Sequence, residues 1–217
     1  FEHPNLARVI ELGRSGNCYY MALEDPGGVS LQEKMSESPL PPKEAMDVLH
    51  QIAEGLRAAH RRNIIHGHLK PSDIYVTRDS AGRPLVKVMF LDMGTSTGDS
   101  LLTMFGDIQG TPKYMAPEVI RGRSPHAGSD IFSFGVIGYE LLTGREPFES
   151  SHPVGYLFAN CESPLTPPHE VEDEVPVEVS KVINRCLERE PDERYQTVQR
   201  VVDDLDPKGE GVPETEV

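Results

Sequence analysis

His66-Gly67-His68-Leu69-Lys70-Pro71-Ser72-Asp73 is the stretch on which the reading of this chain turns. Upstream of it, Pro41 and Pro42 suit a helix start, where a missing N–H costs nothing. Beyond them Ala45, Leu49, Ile52, Ala53, Leu56 and Ala59 recur at three- and four-residue steps. The pattern predicts one amphipathic helix ending near Arg61-Arg62-Asn63, directly before the stretch. Downstream, Ile74-Tyr75-Val76-Thr77 and Leu85-Val86-Lys87-Val88-Met89 are short runs rich in branched residues, and Arg78 to Pro84 between them has turn composition. A hairpin so placed presents His68 and Asp73 on one side and Asp92 on the other.

Working outward, Asp92-Met93-Gly94 comes next, followed by Gly110-Thr111-Pro112-Lys113-Tyr114-Met115-Ala116-Pro117-Glu118. Then come Asp130-Ile131-Phe132-Ser133-Phe134-Gly135-Val136, Leu141-Leu142-Thr143-Gly144-Arg145-Glu146-Pro147-Phe148, and Cys186-Leu187 with Pro191 and Arg194. In this order the segments resemble the protein kinase family. They match its catalytic loop H-R-D-L-K-P-x-N, its D-F-G turn, the end of its activation segment at A-P-E, the start and end of its long central helix, and its last turn. Lys70 and Thr111 are similar to the serine/threonine branch. The fold implied is α+β and protein-kinase-like, a mainly α-helical C-lobe preceded by the last strands of the N-lobe. The family's glycine-rich loop, strand lysine and helix glutamate lie upstream of a segment like Phe1-Glu2-His3-Pro4-Asn5-Leu6, so the start of the N-lobe is expected to be absent. The expected division is 1–26 for the end of the N-lobe and the hinge, 27–205 for the C-lobe, and 206–217 for an acidic tail or linker containing Pro and Gly.

The resemblance also assigns the site. Cys18 to Leu23 reads as a buried strand and Glu24-Asp25-Pro26-Gly27-Gly28 as a polar turn. By resemblance Leu23 gates the adenine pocket and Glu24 to Pro26 offer backbone hydrogen bonds to the base. Tyr75 falls where an aliphatic floor is usual, and either stacks on the base or fills its pocket. Asp73 and Asp92 are the expected metal ligands, and ATP with magnesium or manganese is the implied ligand set. Glu118 and Arg194 are similar to the ion pair that ties the activation segment to the end of the lobe. Asp130 matches the residue that holds the catalytic-loop backbone, and His66 a core histidine packed against the residue at Met93. Glu140 matches either an acidic position that receives a basic substrate side chain or a surface helix residue.

Three departures alter the chemistry. His68 stands where the family has the aspartate that takes the substrate hydroxyl proton, and a protonated His68 repels Lys70 instead of pairing with it. General-base contributions amount to about 10²–10⁴-fold in rate, so the exchange is expected to cripple transfer. Asp73 stands where an amide is usual, and a carboxylate remains a good hard-oxygen ligand. Gly67 stands where an arginine often meets an activation-segment phosphate, so hydroxyls between Thr95 and Thr103 are not expected to switch the site by that contact.

The chain of 217 residues is long enough to bury its own core, and its formal charge of −14, from 35 acidic and 21 basic residues, disfavours nucleic acid. The acids are densest at Glu170-Val171-Glu172-Asp173-Glu174, read as a solvated loop before a helix at Pro176 to Glu188, with a docking site for a basic partner as the rival. Cys18, Cys161 and Cys186 show no C-x-x-C pairing and read as reduced thiols in a cytoplasmic setting. No apolar run approaches the length of a membrane span, and a membrane tether elsewhere in a longer chain stays open. A His66–His68 zinc pair lacks a third ligand of fitting spacing. Three functional readings remain: a pseudokinase acting as a nucleotide- or protein-binding regulatory module, an active ATP-dependent serine/threonine kinase with a protein substrate, and a nucleotide-free scaffold whose pocket Tyr75 closes.

Overall fold

The computed structural model describes residues 2–79, 81–89 and 112–206. Strands β1 (Val9–Ser15) and β2 (Cys18–Leu23) form an antiparallel hairpin, with Val9 opposite Leu23 and Ser15 opposite Cys18. Strands β3 (Val29–Ser30), β4 (Ile74–Arg78) and β5 (Pro84–Val88) make a second antiparallel sheet in the order β3-β4-β5. The remainder is helical: α1 (Leu31–Glu37), α2 (Pro42–His60), α3 (Pro117–Ile120), α4 (Ala127–Thr143), α5 (Pro153–Glu162), α6 (Pro168–Val171), α7 (Val177–Cys186) and α8 (Val198–Leu205).

Local chemistry sets the helix ends. The Ser30 hydroxyl accepts from the Glu33 N–H at 3.2 Å while the Glu33 carboxylate accepts from the Ser30 N–H at 2.9 Å, a reciprocal cap that starts α1. Pro42 opens α2, as its sequence requires, and the helix runs to His60 just short of the Asn63 turn. Its inward residues Val48, Leu49, Ile52, Leu56 and Ala59 are at most 1 % exposed, each larger one contributing about 1.5–3 kcal/mol by leaving water. Helix α4 is buried on every side from Ser129 to Leu141, the mark of a helix in the middle of a core. It packs against α2 and α7, and α2 also packs on β5 and α8.

The entry segment is bolted to this core by amides. Asn5 Nδ2 donates to Gln51 Oε1 at 2.9 Å and to the Val86 carbonyl at 3.0 Å, and Gln51 Oε1 also accepts from the Val86 N–H at 2.9 Å.

Two expectations need correction. Strand β2 is not buried: Tyr19 is 81 % and Tyr20 45 % exposed, because among the described residues its hairpin pairs only with β1 and carries no second layer. Nor is the acidic run all loop. Glu170 and Val171 close the short α6, and only Glu172 to Glu174 form the solvated turn before α7. No helix among the described residues is long and apolar enough to cross a membrane.

Candidate functional site

The loop from Ile64 to Lys70 carries no regular secondary structure, so its backbone N–H groups need outside acceptors. Asp130, on the first turn of α4 and 1 % exposed, supplies them: Oδ1 accepts from the Gly67 N–H at 2.7 Å and Oδ2 from the His66 N–H at 2.9 Å. His60, the last residue of α2, lies 2.7 Å from the same Oδ2 through Nε2. One carboxylate therefore joins the end of α2, the loop and the central helix. Gly67 has φ of 79°, a left-handed conformation that fits glycine and strains any residue with a Cβ.

His66 is buried. Its Nδ1 accepts from the His68 N–H at 3.4 Å, which leaves Nε2 to carry the proton and donate to the Met89 carbonyl at 3.0 Å. The ring thus staples the loop to the end of β5, while its expected packing against Met93 lies outside the described residues. Asp73 follows in a turn closed by its N–H on the Lys70 carbonyl at 3.0 Å, and its own carbonyl accepts from the Met89 N–H at 2.8 Å. Its carboxylate, on a residue 6 % exposed, lies 3.9 Å from Lys70 Nζ and 4.0 Å from His66 Nε2. The structure thus brings together Asp73, Lys70 and His66, with a half-buried His68 at the rim of the same loop.

Across the second sheet, Tyr75 is half-buried and faces Lys87 on β5 and Ser30 on β3. Lys87 Nζ donates to the Glu24 carboxylate, which also lies 3.8 Å from Arg8. The Lys87 hydrogen bond holds the Glu24 carboxyl below its usual range. Leu23, Glu24 and Pro26 are all partly buried, and the Glu24–Lys87 ion pair joins the polar turn to β5 at the residue opposite Tyr75.

The segment that follows the site is anchored by contacts that sequence reading missed. Asn160 on α5 donates through Nδ2 to the carbonyls of Pro112, Lys113 and Met115, and Ser133 donates to the Tyr114 carbonyl at 2.8 Å. Glu140, 6 % exposed, is not a surface residue. The Tyr114 hydroxyl donates to it at 2.8 Å, and Lys113 Nζ bridges it to Glu146. Burial pushes the Glu140 carboxyl above its usual range. For Lys113 burial works the other way, but the two glutamates outweigh it and raise the ammonium. At the lower end Arg194, 0 % exposed, forks onto Glu118 at 2.9 and 2.8 Å. Burial raises the Glu118 carboxyl, yet the Arg194 and Ser129 hydrogen bonds prevail and hold it below the ordinary value. His60, Asn160 and Ser133 gave no sequence signal because their partners are distant in the chain. Asp92, Met93 and Thr111 lie outside the described residues.

A polar loop clamped by an aspartate of a buried central helix, beside a hairpin and a hinge-like turn, defines a protein kinase fold. The family model for the protein kinase domain matches residues 1–204, and the chain belongs to that family. It is 35 % identical over 199 residues to the serine/threonine-protein kinase Pkn1 of Myxococcus xanthus, covering 90 % of this chain and 28 % of that one. It is 30 % identical over 204 residues to a probable serine/threonine-protein kinase of Clostridium acetobutylicum, covering 94 % and 30 %. With PknB of Mycobacterium tuberculosis the identity is 31 % over 210 residues, covering 94 % and 33 %. The chain thus spans about a third or less of the length of these curated relatives. In fold it is similar to Rad53, solved in complex with AMP-PNP, with a TM-score of 0.74 and 24 % identity over 94 % of this chain and 50 % of that one.

Proposed function

We propose that this chain is the larger part of a pseudokinase-type domain of the serine/threonine branch, a regulatory module that binds nucleotide and transfers phosphate slowly or not at all. The observation that carries the reading is the pairing of an intact scaffold with an altered loop. Asp130 clamps the loop backbone at 2.7 and 2.9 Å and Glu118–Arg194 is fully formed, while by resemblance His68 stands where the family has its proton acceptor. Phosphoryl transfer rests mainly on positioning and electrostatics, so a histidine that puts neutral or positive charge beside Lys70 works against the step. Lys70 supports this, because it lies 3.9 Å from the Asp73 carboxylate.

ATP with magnesium or manganese remains the fitting ligand. Asp73 offers hard oxygens from a nearly buried position, and with Asp92 it would hold the ion, which supplies charge neutralisation at the phosphates. Leu23, Glu24, Pro26 and Tyr75 would receive the base, and Thr111 would border the protein substrate. On this reading 1–26 contribute the end of the small lobe and the hinge, 27–205 the large lobe, and 206–217 a linker in a cytoplasmic protein.

The second reading is an active serine/threonine kinase, favoured by relatives that carry that name. Incubating the full-length protein with ATP and manganese, followed by mass spectrometry of itself and of generic serine/threonine peptides, separates the two. Nucleotide-dependent stabilisation without phosphate incorporation supports the pseudokinase. Incorporation at a rate ordinary for kinases, about 1–100 per second, supports the enzyme.

A further inference from the structure

Independently of any nucleotide, we infer that the outer face of α5, with the acidic cleft at its N-terminal end, docks a segment of a protein partner that pairs a lysine or arginine with a large apolar side chain.

Helix α5 is fixed on its inner side and leaves a phenylalanine outside. Ala159 and Asn160 are buried, and Asn160 Nδ2 holds the helix to the carbonyls of Pro112, Lys113 and Met115. Val154 and Phe158 lie one turn apart on a face directed away from Asn160, and they are 48 % and 66 % exposed. By contrast Phe132, Phe134 and Phe148 are at most 2 % exposed. A lone exposed apolar side chain is ordinary, but two in a row on a helix locked from behind make a preformed anchor. Among the described residues nothing covers it.

The charges beside the row choose the partner. Between residues 146–151 and the first turn of α5 opens a cleft of 420 Å³ lined by Glu146, Glu149, Ser150, Ser151 and Tyr156. The Tyr156 hydroxyl donates to Glu146 at 2.7 Å and fixes that carboxylate on the wall. Lys113 is divided between Glu140 and Glu146, and Glu149 is exposed with no ion pair among the described residues. Arg145 lines a different cleft, beside Leu40 and Glu140. Burial raises the Tyr156 phenol, and the Glu146 hydrogen bond and the charges of Glu146, Glu140 and Glu149 add to it, as a negative field requires. Beyond Phe158, exposed Glu162 continues the row with another acid.

A two-fold pair of this chain would set this face against itself, acid against acid, so a second copy is the wrong occupant. A lysine or arginine fits instead: its head meets Glu149 and Glu146, and its stem covers apolar surface on the way. The cleft and Phe158 are about one helical turn apart, roughly 5–6 Å, so the basic and apolar side chains stand within about four positions of each other in the partner. The apolar contact supplies most of the affinity and the exposed carboxylates the selection.

The test is selection from a random-peptide phage library on the full-length protein, then fluorescence anisotropy of the best dye-labelled peptide against wild type, Phe158→Ala and Glu149→Lys at low and high salt. Both side chains are exposed, and thermal melts confirm that the variants stay folded. Enriched peptides carrying a basic residue close to a large apolar one, each variant weakening binding about tenfold or more, and a loss with salt in wild type that Glu149→Lys blunts support the inference. Enriched peptides without that pairing, equal binding by wild type and both variants, or no enrichment overturns it. So does a wild-type dimer in sedimentation that Phe158→Ala splits, since a second copy then occupies the face.

Discussion

Asp130→Ala should be among the most damaging single changes in this domain. In the native structure the carboxylate accepts from the His66 N–H, the Gly67 N–H and His60 Nε2 within 2.7–2.9 Å, on a residue only 1 % exposed. Removing it leaves three groups without an acceptor in a site too enclosed for ready hydration. Each unmatched group costs about 1–3 kcal/mol, and half-buried Gly67 and His60 regain part of that from water. The expected loss is about 3–5 kcal/mol, a large share of a typical stability of about 5–15 kcal/mol. With a urea slope of about 2–3 kcal/mol per molar, the unfolding midpoint of the full-length protein's kinase domain should fall by roughly 1–2.5 M. Far-UV circular dichroism follows this directly. Asp130→Asn, which keeps one acceptor oxygen, should lose about half as much. A midpoint for Asp130→Ala within about 0.3 M of wild type would refute the clamp.

Gly67→Ala tests the left-handed loop backbone. Its Cβ would meet only Pro125 at an ordinary 3.5 Å, so the cost is conformational. At about 1–2 kcal/mol it should lower the melting temperature by roughly 3–6 °C, and an unchanged melting temperature would contradict the φ assignment. Glu118→Gln addresses pH. The folded Glu118 pKa lies below the ordinary carboxyl value, so its contribution is complete above that ordinary value and is lost as pH falls through the folded one. The variant should be less stable than wild type at neutral pH by about 3–5 kcal/mol, because Arg194 loses its buried partner, and should show a shallower acid limb. Parallel acid limbs in a pH series of urea melts would count against this.

Much of the fold could be read from local pattern. Helix α2 begins at Pro42 and keeps its apolar face inward because its three- and four-residue spacing leaves one side for the core. The β4–β5 hairpin falls where branched runs flank a turn. Strand β2 misled because Tyr19-Tyr20-Met21 has the composition of a covered strand, whereas cover depends on a layer that composition does not specify. The site divides in the same way. Asp130, His66 and the Glu118–Arg194 pair were readable from motif order. The capture of Glu140 by Lys113 was not, since it depends on how residues 112–116 lie against α4.

The most direct test of the central claim is single-turnover phosphoryl transfer by the full-length protein, comparing wild type with the double variant His68→Asp, Asp73→Asn. Wild type should run far below the roughly 1–100 per second of ordinary kinases. The double variant, with the proton acceptor and the amide ligand restored, should gain about 10²–10⁴-fold. A wild type already transferring phosphate at an ordinary rate, with no gain in the double variant, would contradict the account.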